Sequence, residues 1–416
     1  MNRTVWFSLF VAGAAGALSA CSGPGASSQG AGGAGGVLSS SGGAGGGSFS
    51  AGGGSSAIGS GGVTAAPDAA ADTGPGGMSV ATGGAGVSDA AKPVDTASGD
   101  GSSSARCPAV PRCDAAPPEP GATRPWRHQA PSGAANHRGR DLFINPGAPQ
   151  WVLADFRYGL PLLDAALADE EVDIYLLRDC GATWEKLGTA LTSASAAHAT
   201  EEGVDDAAGR LFFPIPSDKM LAPGRHRLRL VVGGDLSSTE VVIEVVPSGA
   251  PLFVADVDGT LTTSENAQAI SLFTGAPPDA NQDAAQALTL LAQKGYRPLY
   301  LTARPEWLSV NTHDWLAGKG FPPGIVHTTL TSAGASGDAA GTFKTADLKL
   351  LAAKGLTPSF GFGNTSTDAD AYNGAGIKPL SNRIFYQFTD TAWKGRRIDD
   401  YGSLLAEFST LPLVCR

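Results

Sequence analysis

Phe253-Val254-Ala255-Asp256-Val257-Asp258-Gly259-Thr260-Leu261-Thr262 is the stretch on which the reading of this chain turns. Leu252 to Ala255 is a short apolar run of the kind a strand buried on both faces requires. Two aspartates, two residues apart, follow it directly, where Gly259 lets the chain turn. Placed so, they can take different jobs around one phosphate. One carboxylate can attack phosphorus, and the other can protonate the leaving oxygen and then deprotonate water. Neither works unless a cation screens the anions.

Beyond Pro247 the pattern alternates strand with helix, which predicts a parallel α/β sheet. The spacing predicts a helix over 279–294, capped by Asp279 or Asn281, then a strand over 297–301 and helical residues to about Lys319. Strands over 324–327 and 359–362 flank a helix over 343–354, and a strand over 384–387 and a closing helix complete the unit. In such sheets chemistry gathers at the carboxy ends of the strands. The second strand ends in Tyr300-Leu301-Thr302-Ala303-Arg304-Pro305. Thr302 offers a hydroxyl to phosphate, and Arg304 a two-pronged contact to phosphate or a lipid headgroup. Lys344 is the expected neutralising cation, near a helix start with Thr342 as its cap; Lys349 and Lys354 are rivals. Gly363-Asn364-Thr365-Ser366-Thr367-Asp368-Ala369-Asp370 follows the fourth strand. There Asp368 and Asn364 are oxygen ligands of the type Mg²⁺ prefers, and Asp370 is a solvated or outer neighbour.

Taken in order, these motifs resemble the haloacid-dehalogenase superfamily and, more narrowly, the lipin/Ned/Smp domain of lipin phosphatidate phosphatases and Nir-type phosphatidylinositol-transfer proteins. The resemblance covers about residues 250 to 390. It implies Asp256 as nucleophile and metal ligand, and Asp258 as general acid/base and metal ligand through its carbonyl. It also implies Thr302 and Lys344 at the phosphate, Asp368 and Asn364 on Mg²⁺, and a phosphatidate-like lipid phosphate as substrate. The expected activity is therefore a Mg²⁺-dependent phosphoric monoester hydrolase. The alternatives are a phosphatase for other monoesters, or a non-catalytic lipid- or protein-binding module. About forty residues separate the Asp256 motif from the Thr302 motif, and about forty separate that from Lys344, too few for a large cap, so the site is expected to be open.

Residues 138–247 read differently. About seven short strands punctuated by Gly, Pro, Asp and Ser predict an immunoglobulin-like β-sandwich ahead of the α/β unit at 248–416. Its acidic run Asp169-Glu170-Glu171 reads as a solvated turn. The 416-residue chain carries a formal net charge of −10, which gives no case for a nucleic-acid partner. Of its 57 glycines 28 precede residue 105, in only the first quarter of the chain, so 22–137 reads as a disordered, then Pro-rich, linker. Residues 1–21 read as a signal peptide whose Leu18-Ser19-Ala20-Cys21 resembles a bacterial lipobox. Acylation of Cys21 is then expected to anchor the chain in the cell envelope, at the outer membrane of a Gram-negative bacterium. The remaining cysteines, Cys107, Cys113, Cys180 and Cys415, suggest disulfides in any of three pairings.

Overall fold

In a computed structural model of the chain, the residues described are 106–119, 121–194, 197–265 and 276–415. Cys21 and the signal-like segment lie outside them. Three strands, β1 (Arg138–Arg140), β3 (Trp151–Asp155) and β8 (Arg210–Pro214), form an antiparallel sheet in the order β1-β3-β8. Facing it is a sheet in the order β2-β10-β9-β6-β7, made of β2 (Leu142–Ile144), β6 (Glu171–Leu177), β7 (Trp184–Leu191), β9 (Gly224–Val232) and β10 (Ser238–Val245). β4 (Arg157–Tyr158) and β5 (Ala165–Ala166) make a small ribbon. Alternate residues such as Leu228, Leu230 and Val232 turn inward onto Val152, Ile174 and Val241 in one apolar core. This is the β-sandwich expected from the alternation.

A six-stranded, wholly parallel sheet follows. Its strands are β11 (Leu252–Ala255), β12 (Arg297–Leu301), β13 (Ile325–His327), β14 (Phe360–Gly363), β15 (Arg383–Tyr386) and β16 (Arg396–Ile398), in the order β13-β12-β11-β14-β15-β16. Helices α1 (Ala284–Gln293), α2 (Ser309–Gly318) and α5 (Gly402–Thr410) put Leu288, Trp315 and Phe408 on one face. Helices α3 (Gly337–Ala353) and α4 (Ser366–Gly374) put Leu348 and Tyr372 on the other. From β11 the chain winds first to β12 and β13, then crosses to β14 on the opposite side. The carboxy end of β11 is thus the point where the winding reverses, the place where open α/β sheets put their binding crevice.

Several sequence expectations change. α3 begins at Gly337 behind Ser336, so Lys344 sits two turns inside it and Thr342 is no cap. α1 begins after Asp283, and Asn281 instead donates from Nδ2 to the carbonyls of Thr260 and Thr262. Strand β16 and the short edges of the sandwich had no clear alternation to announce them. Glu170 is buried and accepts the amides of Arg127 and His128 at 3.1 and 2.9 Å, so its run is not a solvated turn. The 22–137 linker reading fails at its carboxy end. Cys107 is bridged to Cys415 and Cys113 to Cys180, Arg124 pairs with Asp173 at 2.8 Å, and Trp126 packs on the sandwich core. Composition hid this, because two cysteines, an arginine and a tryptophan suffice to fasten an otherwise featureless strap.

The sandwich and the α/β sheet share a polar seam. Arg210 forks onto Glu306 at 2.5 and 2.9 Å, and Arg140 reaches Asp347 at 2.6 Å. Asp347 also accepts from His327 at 2.7 Å. Burial alone would raise the Asp347 carboxyl, but His327 and Arg140 outweigh it and hold the group far below the usual carboxylate range. Asp141 accepts the amides of Val242 and Val326, one from each sheet system. Buried ion pairs that bridge the two units, with partners drawn from both, favour one arrangement of them.

Candidate functional site at the strand ends

The residues singled out in the sequence converge at the carboxy ends of β11, β12 and β14. The Asp256 amide donates to the Phe362 carbonyl at 2.9 Å, extending the β11–β14 ladder by one step and fixing where the carboxylate emerges. Thr302 continues β12, its amide bonded to the His327 carbonyl at 2.9 Å. Gly259 sits at φ +71°, and a Cβ there would come within 2.2 Å of Asn364 Nδ2, so the turn requires glycine. Gly363 has the same necessity for another reason: a Cβ would lie 2.4 Å from that of Asp368, and its absence lets α4 start against the strand.

Lys344 reaches in from α3. Its Nζ donates to Asp256 Oδ1 at 2.7 Å and to Asp368 Oδ1 at 2.6 Å, with all three side chains buried. The other Asp368 oxygen accepts the amides of Asn364 and Thr365 at 3.0 and 3.1 Å and the Thr365 hydroxyl at 2.9 Å, closing a capping box on α4. The Thr260 hydroxyl lies 3.1 Å from Asp256 Oδ2 and 2.9 Å from Asn364 Oδ1. Burial pushes the Asp256 carboxyl up to about 7 against the pull of Lys344, and Asp368 and Asp258 push the same way. Burial would lower Lys344, but the two aspartates prevail and hold it above its ordinary value. Lys349 is exposed, and Lys354 is spent on the sandwich, at the Phe143 carbonyl and Glu202.

Asp258 faces a different partner. Arg304 grips it with both prongs, Nε to Oδ2 and Nη2 to Oδ1, each at 2.8 Å. Thr302 adds a bond from its hydroxyl at 3.2 Å. Arg304 is itself buried and immobilised: Nη1 donates to Thr312 on α2 at 2.9 Å, and its carbonyl accepts from Thr329. The guanidinium expected to meet a phosphate therefore meets a carboxylate of the same chain. Sequence reasoning passed over Thr260, Thr312 and Glu265, the last of which accepts from Asn364. Thr260 stood inside the quoted motif; Thr312 and Glu265 carry no sequence signal, since only folding brings them near.

The oxygen donors of Asp256, Asp368 and Asn364 suit a hard divalent ion in type. Among the described residues, no group of three or more His, Cys, Asp or Glu is arranged to hold a metal. No helix among them is long and apolar enough to cross a membrane.

Residues 253–386 match the family described as PITM 1-3, LNS2 domain, and residues 135–245 match PITM 1-3, beta-sandwich domain. The chain is similar to membrane-associated phosphatidylinositol transfer protein 1 of Rattus norvegicus, at 32% identity over 193 residues, covering 46% of this chain and 14% of that protein. It is similar to protein retinal degeneration B of Drosophila melanogaster, at 30% identity over 254 residues, covering 61% of this chain and 18% of that protein. The chain thus spans less than a fifth of the length of these relatives. The resemblance read from the motifs holds on its transfer-protein side. The expectation of a phosphoric monoester hydrolase, on phosphatidate or on other monoesters, is overturned, because the mammalian relatives are phosphatidylinositol transfer proteins by name and not phosphatases. Geometry supplies a physical reason. The carboxylate cast as general acid/base has both oxygens closed in the Arg304 fork.

Proposed function

We propose that the chain is a non-catalytic lipid-binding module whose strand-end crevice receives the phosphate of an anionic phospholipid headgroup. The observation that carries this reading is the Arg304–Asp258 fork, which occupies the group that proton transfer needs and stands beside Lys344 and Thr302 at the same strand ends. The sandwich, in this reading, is immunoglobulin-like, and the α/β unit is haloacid-dehalogenase-like with a minimal cap. The transfer-protein names of the mammalian relatives support a lipid rather than a soluble ester as partner.

Mg²⁺ belongs to the proposal on charge grounds. Asp256, Asp258 and Asp368 face only Lys344 and Arg304, so carboxylates outnumber cations, an excess that burial relieves by raising Asp256. A phosphate arriving there meets at best a neutral pocket. Mg²⁺ held by Asp256, Asp368 and Asn364 supplies positive charge; Lys344 and Thr302 then supply donors to phosphate oxygens. Acylated Cys21 is proposed as the tether that holds the module at the membrane of the cell envelope.

A Cys21→Ser chain, which cannot be acylated, tests binding by the folded units alone. Flotation with phosphatidate or phosphatidylinositol vesicles is expected to recover it, and phosphatidylcholine vesicles are expected not to. EDTA is expected to weaken recovery by about ten-fold, roughly 1.4 kcal/mol. Equal recovery on all three vesicle types would sink the headgroup reading, and indifference to EDTA would remove the metal from it.

A further inference from the structure

Away from the strand ends, a cavity of about 530 Å³ opens between the sandwich and the α/β sheet. That volume lies within the range of small-molecule sites. Its two walls differ in chemistry. On the sandwich side Arg225, Arg227 and Arg229 alternate along β9 and so share one face. Arg225 is paired with Glu244, and Arg227 forks onto Glu240 and donates Nη1 to the Cys113 carbonyl at 2.7 Å, whereas Arg229 has only a share of Glu240, at 3.3 Å. Arg112, from the disulfide-fastened strap, joins them; it is exposed and has no hydrogen-bond partner among the described residues. The opposite wall is apolar: Val310 and Ala317 of α2 present exposed side chains beside Phe321 and the following prolines.

The acids of the lining do not cancel this asymmetry. Asp141 is spent on two backbone amides and on His313 at 2.9 Å. Asp114 and Asp314 are exposed at the rim, where water and salt screen them. We infer that this cleft is a second binding site, for a small amphiphilic anion whose acidic head meets Arg112 and Arg229 and whose apolar body lies on α2 and Phe321. A guanidinium whose only carboxylate is already shared gains most from a new anion, and an exposed valine and alanine beside it gain from an apolar cover. The strap contributes Arg112 and Cys113 to the wall, so the site exists only while the strap is fastened across the sandwich.

The probe is 1-anilinonaphthalene-8-sulfonate, a sulfonate on an aromatic body, titrated into the full chain and followed by fluorescence. Saturable binding at one site per chain is expected, with decanoate displacing the probe. Arg112→Glu and Ala317→Trp alter exposed positions, so folding is expected to persist, as circular dichroism can check. Each is expected to weaken binding about ten-fold, the scale of one charge-assisted contact. Two variants identify rival sites: Leu162→Ser with Leu163→Ser alters an exposed apolar loop of the sandwich, and Asp256→Asn alters the strand-end crevice. Both are expected to bind as the parent does. Failure of the probe to saturate, or full affinity in both Arg112→Glu and Ala317→Trp, overturns the inference. Loss of binding in the leucine variant assigns the probe to that loop instead and overturns it equally. Loss in Asp256→Asn assigns the probe to the strand-end crevice and likewise removes the cleft as its site.

Discussion

Replacing Lys344 with methionine is expected to lower the stability of the folded units by about 3–5 kcal/mol, because it leaves two buried carboxylates without their cation. Asp256 and Asp368 are 4% and 0% exposed, so water cannot substitute for the ammonium they share. At roughly 2–4 °C per kcal/mol for a unit of this size, the melting temperature should fall by about 10 °C. Lys349→Met, five residues on and exposed, supplies the comparison and should change stability by no more than about 0.5 kcal/mol. Thermal unfolding by circular dichroism reads both. Equal, small shifts would mean that Lys344, Asp256 and Asp368 are not a tightly paired group.

Asp256→Asn is expected to act in the opposite sense, with an effect that depends on pH. The Asp256 carboxyl is pushed up to about 7 in the fold, mainly by burial. Between about pH 4 and pH 7 the native chain therefore binds a proton that the unfolded chain releases. The parent loses stability as pH rises through that window, because ionising Asp256 in place costs more than ionising it in water. Asparagine cannot ionise, and Lys344 keeps Asp368 as its partner. The variant should match the parent near pH 4 and exceed it by about 2–4 kcal/mol at pH 8. Melting curves across that range check the sign. A variant less stable than the parent at pH 8, or a gain that ignores pH, would contradict the burial of Asp256.

Much of this site was legible because Asp256, Thr302 and Asn364 each follow a strand directly. An apolar run followed by Asp256, by Thr302 or by Asn364 needs no tertiary information to place its side chain at a strand end, and a parallel sheet aligns those ends. Lys344 could be named as the cation, although its position within α3 was misplaced, since Gly337 and Gly341 disguise the first turns of the helix. What the sequence concealed was pairing over distance. Arg304 was free to choose phosphate or carboxylate until Thr312 fixed its rotation and Asp258 took both prongs. Arg140, Arg210 and Lys354 carry no local sign that they form the seam between the two units, because their partners lie far along the chain. The strap was illegible for a related reason: disulfide partners carry no local signal, and three pairings of the four cysteines fitted equally well.

Whether bound lipid keeps its phosphate separates a binding module from a hydrolase. The Cys21→Ser chain, mixed with phosphatidate vesicles and Mg²⁺, is assayed in one sample for vesicle-bound protein and for free inorganic phosphate. Saturable binding is predicted, with phosphate release no greater than from vesicles alone, since Arg304 holds Asp258 out of proton transfer. Release of phosphate in proportion to added protein would contradict a non-catalytic module, and so would a failure of the protein to bind the vesicles at all.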